Sequence, residues 1–124
     1  MKKFRIKLII ALCGLALAAA SPRWAGAHAF PDHAEPRVGA VISISPTRVR
    51  IWFDGVLEPL FSTLQVRNTS GQPVDRGDGH VDASDQTLLE ISLPHLPPDT
   101  YRVFWSVVAR DGHRTQGDYT FTLR

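Results

Sequence analysis

The sequence has 124 residues, with 14 lysines and arginines, 12 aspartates and glutamates, five histidines, one cysteine and one methionine. This length suits one domain, and a single cysteine excludes a disulfide within the chain. The net charge of +2 is small, and four of the basic residues lie within positions 2–7, so the charge is no argument for nucleic-acid binding.

The first 27 residues are predicted to be a secretory signal peptide. Basic residues at positions 2–7 precede an apolar run over 8–20, and Ala25-Gly26-Ala27 then provides an A-x-A-like cleavage site. The apolar run is shorter than the roughly twenty residues that a membrane-spanning helix needs. A retained signal anchor is the alternative. We expect a periplasmic chain that begins at His28.

Loss of residues 1–27 changes the composition of the chain. Five of the 14 basic residues leave, so nine remain against 12 acidic residues, and the only cysteine and the only methionine leave with them. The remaining chain, residues 28–124, is mildly acidic and has neither a thiol nor a thioether. Disulfide, thiolate and thioether chemistry are therefore excluded from it.

Residues 28–124 are predicted to form one all-β domain. Apolar residues alternate with polar ones, or run continuously, in short segments separated by Gly, Pro, Asp and Ser. The segments are 48–53, 63–67, 89–93, 101–108 and 118–123. Short strands with regular turn signals favour an antiparallel two-sheet sandwich of the immunoglobulin or cupredoxin type, and "LPPDTY" suits a tyrosine, Tyr101, at a sandwich corner.

Cleavage before His28 would create an unusual ligand. The residue would then carry a free amine as well as an imidazole, and these two nitrogens can close a chelate ring on a single metal ion. A histidine directly after a cleavage site can also be a coincidence.

A second candidate pair lies in "VVARDGHRT", where Asp111 and His113 are separated by one residue. In an extended segment the side chains of residues i and i+2 point to the same side, so this pair could present a carboxylate and an imidazole together. With His28 the set offers three nitrogens and one oxygen. Such donors suit tetragonal Cu(II), and tetrahedral Zn(II) is the main competitor.

The chain resembles the CopC family of periplasmic copper-binding proteins over residues 28–124. The similarity lies in "HAF", "VRIWFDGVLEP" and "LPPDTYRVFWSVVARDGHRTQGDYTF". The resemblance implies a cupredoxin-like β-sandwich that holds one Cu(II) through the amine and ring of His28, with Asp111 and His113 as the other ligands. It also implies copper sequestration, resistance or delivery, without catalysis, and a CopD-type inner-membrane copper transport protein as a possible partner.

The chain departs from some family members in the stretch 68–85, "NTSGQPVDRGDGHVDASD", which has no methionine to bind Cu(I). A Cu(II)-only protein is therefore expected. His80 in this stretch is predicted to be solvent-exposed. His33 is predicted to be a surface residue, with an outer-shell partner or a weak axial donor to the metal as the alternatives. Asp54 and Glu58 follow the tryptophan strand and stay outside the predicted ligand set.

Two other classes of function remain open. A copper mono-oxygenase would also use an N-terminal histidine on a β-sandwich, but it would need redox-active copper, and this sequence shows no flat aromatic substrate face. An exported interaction module would leave the histidines without a role. Copper-dependent peroxide production would indicate the enzyme, and an absence of Cu(II) binding would indicate the module.

Overall fold

The computed structural model describes residues 28–124, so the predicted signal peptide lies outside the described residues. Within that range the chain forms eight β-strands, one 3-10 turn at Pro59–Phe61 and no α-helix. The strands are β1 (Pro31–Glu35), β2 (Val41–Ile42), β3 (Arg48–Phe53), β4 (Thr63–Arg67), β5 (His80–Val81), β6 (Leu88–Ser92), β7 (Asp99–Val108) and β8 (Arg114–Leu123). Residues 28–124 include no helix that could span a bilayer.

The strands form two four-stranded sheets. Sheet I has the order β1-β3-β6-β5, and sheet II has the order β2-β8-β7-β4. All pairs are antiparallel except β2 with β8, which is parallel. The predicted two-sheet β-sandwich is therefore confirmed, with one parallel edge that the sequence did not indicate.

The core lies between the two sheets and follows from the alternation along the strands. On β3, Val49, Ile51 and Phe53 are buried while the residues between them are more accessible. Tyr101 of β7 and Phe121 of β8 stack with ring centroids 5.4 Å apart. Each side chain of this size contributes about 1.5–3 kcal/mol when it is fully buried. The apolar interior leaves the ends and faces of the sandwich for polar chemistry.

Tyr101 forms the corner that "LPPDTY" predicts. Its hydroxyl donates a hydrogen bond to the carbonyl of Pro97, four residues upstream, while its ring lies in the core. Removal from water raises the pKa of this hydroxyl, so it acts as a donor at physiological pH. The bond fixes the start of β7 at the end of the strand remote from Asp111 and His113.

Trp105 and Gly117 are neighbours across the β7–β8 pair. The indole lies so close over Gly117 that a Cβ there would come within 2.6 Å of the ring, and the same indole packs edge-on against Phe53, with ring centroids 5.4 Å apart. Only glycine fits beneath this ring without displacing it. The contact joins the two sheets towards the end that carries the β7–β8 turn.

Candidate metal centre

The turn between β7 and β8 carries Asp111 and His113. The two strands pair continuously up to Val108 and Arg114, and the turn closes through a 2.8 Å bond from Gly112 N–H to the Ala109 carbonyl and a 2.9 Å bond from Ala109 N–H to the His113 carbonyl. Gly112 has φ +90°, a conformation that favours glycine.

The Asp111–His113 pair comes together in this turn, so the expectation of an extended segment was wrong. Asp111 Oδ1 accepts a 3.0 Å hydrogen bond from the backbone N–H of His113, and Oδ2 lies 2.9 Å from His113 Nδ1. The backbone bond first, and then the side-chain bond, holds the pKa of Asp111 below its usual value. An ionised carboxylate only accepts hydrogen bonds, so Nδ1 carries the proton and the lone pair of neutral His113 lies on Nε2.

The residues at the start of the described chain lie against the same turn. The imidazole rings of His28 and His113 have centroids 4.6 Å apart and are inclined at 73°. The ring of Phe30 flanks His28 on another side, with centroids 6.2 Å apart. The structure therefore brings together two histidines that are far apart in the sequence, as the predicted site requires.

His28 has an unsatisfied polar atom in this position. Its Nδ1 is buried and has no hydrogen-bond partner among residues 28–124, although buried polar atoms are normally paired. His28 also contributes to the lowered pKa of Asp111 through its charge. The carboxylate of Asp111 thus interacts electrostatically with both imidazoles at this end of the sandwich.

These three side chains do not converge on one point. Within residues 28–124, no three His, Cys, Asp or Glu side chains form a ready-made metal cluster, and the Asp111 carboxylate is directed at His113. The predicted site has a fourth donor, the amine of His28, and in the 124-residue sequence that nitrogen belongs to a peptide bond. The geometry supplies two adjacent rings and one carboxylate.

Residues 32–124 match the CopC domain family. The chain belongs to the CopC family. The match begins after His28, so it covers Asp111 and His113 but not the proposed N-terminal ligand.

Curated relatives of this CopC-family chain include two bacterial proteins. It is 31% identical to Protein YobA of Escherichia coli (strain K12) over 99 residues, and the aligned region covers 79% of this chain and 80% of YobA. It is 28% identical to Copper transport protein CutJ of Bacillus subtilis (strain 168) over 103 residues, and the aligned region covers 82% of this chain and 19% of CutJ. The region shared with CutJ is therefore a small part of that longer protein.

Two solved structures share the fold. CopC from Methylosinus trichosporium OB3b is 30% identical with a TM-score of 0.72, over 77% of this chain and 93% of that one. PcoC from Escherichia coli, described as a methionine-rich copper resistance protein, is 27% identical with a TM-score of 0.66, over 78% of this chain and 99% of that one. The sandwich implied by the resemblance to CopC is thus confirmed.

His33 lies on the exposed face of sheet I in this CopC-family chain. Its ring stacks on Trp52 with centroids 4.4 Å apart, and its Nδ1 lies 3.0 Å from Asp32 Oδ2. Its ring and charge contacts are thus with residues of sheet I. His33 is a surface residue, as predicted.

The two acidic residues left outside the predicted ligand set differ in their contacts. Asp54 Oδ1 accepts a 2.8 Å hydrogen bond from Phe30 N–H, two residues from His28. Glu58 lies beside the end of β7, where its backbone N–H donates to the Val108 carbonyl. Asp54 therefore contacts the segment that carries His28 through a backbone group. The residue types in the sequence did not predict this contact.

His80 is exposed, as predicted, but the sequence did not indicate its partners. Its Nε2 lies 3.2 Å from Glu90 Oε1, and its Nδ1 lies 2.7 Å from the Asp78 carbonyl oxygen. The bond to the Asp78 carbonyl, with the charge of Glu90, raises the pKa of His80. The partners of this histidine thus lie on the neighbouring strand β6 and in the loop before β5.

Proposed function

We propose that this CopC-family chain is exported to the periplasm, is cleaved before His28 and then binds one Cu(II). The ligands are the amine and Nδ1 of His28, Nε2 of His113 and the carboxylate of Asp111. The observation that carries the proposal is the 4.6 Å separation of the two imidazole rings. The protein holds copper for sequestration, resistance or delivery.

The chemistry of the donors supports Cu(II). Nδ1 of His28 is a buried nitrogen without a partner in the described range, and it is also the ring nitrogen closer to the amine, with which it can form a chelate. In the metal-free chain the Asp111 carboxylate bonds Nδ1 of His113, and it leaves that bond when it joins His113 Nε2 at the metal. Three nitrogens and one oxygen suit a tetragonal Cu(II) ion.

The methionine content favours the oxidised ion over Cu(I). PcoC is described as methionine-rich, whereas this chain has a single methionine at position 1, inside the segment that we propose is removed. Cu(I) prefers soft sulfur ligands, and residues 28–124 contain none. The site is therefore proposed to hold copper as Cu(II).

Similarity to named copper proteins supports a role in copper handling. PcoC is described as a copper resistance protein and CutJ as a copper transport protein. Since CutJ is much longer than the region it shares with this chain, a domain of this type can be part of a larger copper transport protein. A CopD-type inner-membrane protein is accordingly the partner that we propose for delivery.

The direct test is a Cu(II) titration of the chain beginning at His28 against a competing chelator, with EPR of the loaded protein. We expect one Cu(II) per chain, a tetragonal signal with nitrogen couplings, and displacement of Zn(II) by Cu(II). The His80→Ala variant is a matched control, since it removes a histidine remote from the turn. Failure of the wild-type chain to bind Cu(II) would overturn the proposal.

We propose a binding protein and assign no catalytic residue. The Asp111 carboxylate would occupy a coordination position that an oxygen-activating copper enzyme keeps open, and hard oxygen and nitrogen donors favour the oxidised ion. Hydrogen peroxide production by the copper-loaded protein with ascorbate should therefore stay near the rate of a Cu(II)–chelator control. Rapid turnover would instead support a redox enzyme.

A further inference from the structure

Two side chains outside the proposed ligand set fix the segment that carries His28. Thr115 Oγ donates a 2.6 Å hydrogen bond to the Ala29 carbonyl. Asp54 Oδ1 accepts a 2.8 Å bond from Phe30 N–H, and Asp54 N–H donates a 2.9 Å bond to the Phe30 carbonyl. The two residues after His28 are therefore each tied to a different part of the sandwich.

The positions of these two side chains explain what they hold in place. Asp54 directly follows β3 of sheet I, whereas Thr115 lies on β8 of sheet II, two residues after His113. Ala29, which follows His28 and is one of the two attached residues, is fully buried. The start of the described chain is thus attached to both sheets, and one attachment comes from β8, the strand that follows the β7–β8 turn.

Such attachment changes the cost of bringing the two histidines together. The first residues of a chain are mobile unless they are tied down, and ordering each backbone residue costs about 1–2 kcal/mol. A segment that is already ordered before the metal arrives does not incur this cost on binding, and preorganisation of this kind raises affinity.

We propose that Asp54 and Thr115 are positioning residues for the copper site. They hold the backbone of Ala29 and Phe30 so that the ring of His28 lies beside His113 before the metal binds. Neither residue is a ligand. This inference rests on the proposed Cu(II) function, but the positioning itself is a property of the metal-free protein and can be measured without copper.

The test uses chains beginning at His28 that carry Asp54→Ala, Thr115→Val or both. Each single change should lower the Cu(II) affinity about 10-fold, since each removes a hydrogen bond that orders the segment carrying His28. The double variant should lose more than either single variant. Thr122→Val is the matched control, because Thr122 lies at the opposite end of β8 and its hydroxyl bonds Thr100; its Cu(II) affinity should equal that of the wild type.

Rescue and metal-free measurements separate positioning from a general loss of stability. Asp54→Asn keeps an oxygen acceptor and Thr115→Ser keeps a hydroxyl donor, so both should retain most of the affinity. In the metal-free double variant, hydrogen exchange at the Phe30 amide should accelerate and the NMR contacts between the His28 and His113 rings should weaken. The exchange rates of core amides should match those in Thr122→Val.

The outcomes distinguish this inference from the proposed function. If the wild type binds Cu(II) and the double variant binds it equally tightly, the positioning role is refuted and the copper function stands. If the wild type binds no Cu(II), the copper function fails, and the Phe30 exchange rate still decides whether the segment is held. Equal effects of Thr122→Val and Thr115→Val would also refute the positioning role.

Discussion

Two groups of polar side chains in this sandwich, one around His80 and one at the β7–β8 turn, differ in their contacts. His80 lies on the exposed face of sheet I, where Glu90 and the Asp78 carbonyl bond its two nitrogens and Arg48 lies 3.7 Å from the other oxygen of Glu90. Each charge of this group has an opposite charge or a hydrogen-bond partner next to it. Such a group is explained by the sheet alone.

The group at the β7–β8 turn is different. The ring centroids of His28 and His113 lie 4.6 Å apart. The one carboxylate beside them, Asp111, is hydrogen-bonded to His113. Nδ1 of His28 is buried and has no partner in the described part of the chain. Exposure and proximity alone therefore do not separate the two groups. The turn group differs in having a buried imidazole nitrogen with no partner among residues 28–124.

The largest effect is expected from removing one ring from each group. In the chain beginning at His28, His113→Ala should lower the Cu(II) affinity at least about 100-fold, because removal of even an outer-shell partner costs about 10–100-fold. His80→Ala should change it less than about 2-fold, since its ring is bonded within sheet I. Competitive titration measures both values. An equal loss in the two variants would remove the distinction between the two groups.

The pH dependence of copper binding should also separate the groups. Imidazoles have an ordinary pKa of about 6.5 and an N-terminal amine of about 8, and each must lose its proton to bind the metal. The His113 backbone N–H holds the pKa of Asp111 below its usual value, so this carboxylate stays ionised and the nitrogens determine the dependence.

We therefore expect the Cu(II) affinity to fall at least about 100-fold as the pH drops from about 7.5 to about 5.5. Chelator competition at several pH values would measure the slope. His113→Ala should have a shallower slope and His80→Ala the wild-type slope. A pH-independent affinity would contradict the proposed donors.

The smallest effect concerns stability without metal. Because the folded state raises the pKa of His80, through the Asp78 carbonyl and then Glu90, the stabilisation is present below the unfolded pKa of about 6.5 and is lost as the pH rises through the folded pKa. His80→Gln should cost a few tenths of a kcal/mol at about pH 6 and less at about pH 9, since solvent screens this half-exposed pair. Urea unfolding of the wild type and the variant at both pH values measures this loss of unfolding free energy. A larger loss at about pH 9 than at about pH 6 would contradict the prediction.

The strands that the sequence predicted are the ones with a clear pattern. Segments 48–53 and 63–67 match β3 and β4 because their alternation reflects one buried and one exposed face. β1 was missed because it begins at Pro31 and Pro36 follows it directly, and prolines suit an edge strand but read as breakers. β2 and β5 have two residues each, too few for any periodicity.

For the candidate site, the sequence predicted the candidate residues but not the local backbone or the supporting contacts. The chemistry of an N-terminal histidine and the resemblance to CopC pointed to His28, Asp111 and His113, and the structure places the rings of His28 and His113 side by side. The tight turn was missed because Asp-x-His suits both extended and turned backbones. The contacts of Asp54 and Thr115 were also missed. Their partners are backbone groups, which every residue has, so the residue types cannot predict these contacts.

Whether the His28 amine is a ligand can be measured with two chains, one that begins at His28 and one that carries a single extra alanine before it. Both keep every side chain of the site, and only the first has the free amine. We predict one tightly bound Cu(II) with a tetragonal, multi-nitrogen EPR signal in the first chain, and an affinity lower by orders of magnitude in the second. Equal affinity and identical spectra in the two chains would contradict the claim that the His28 amine binds the metal.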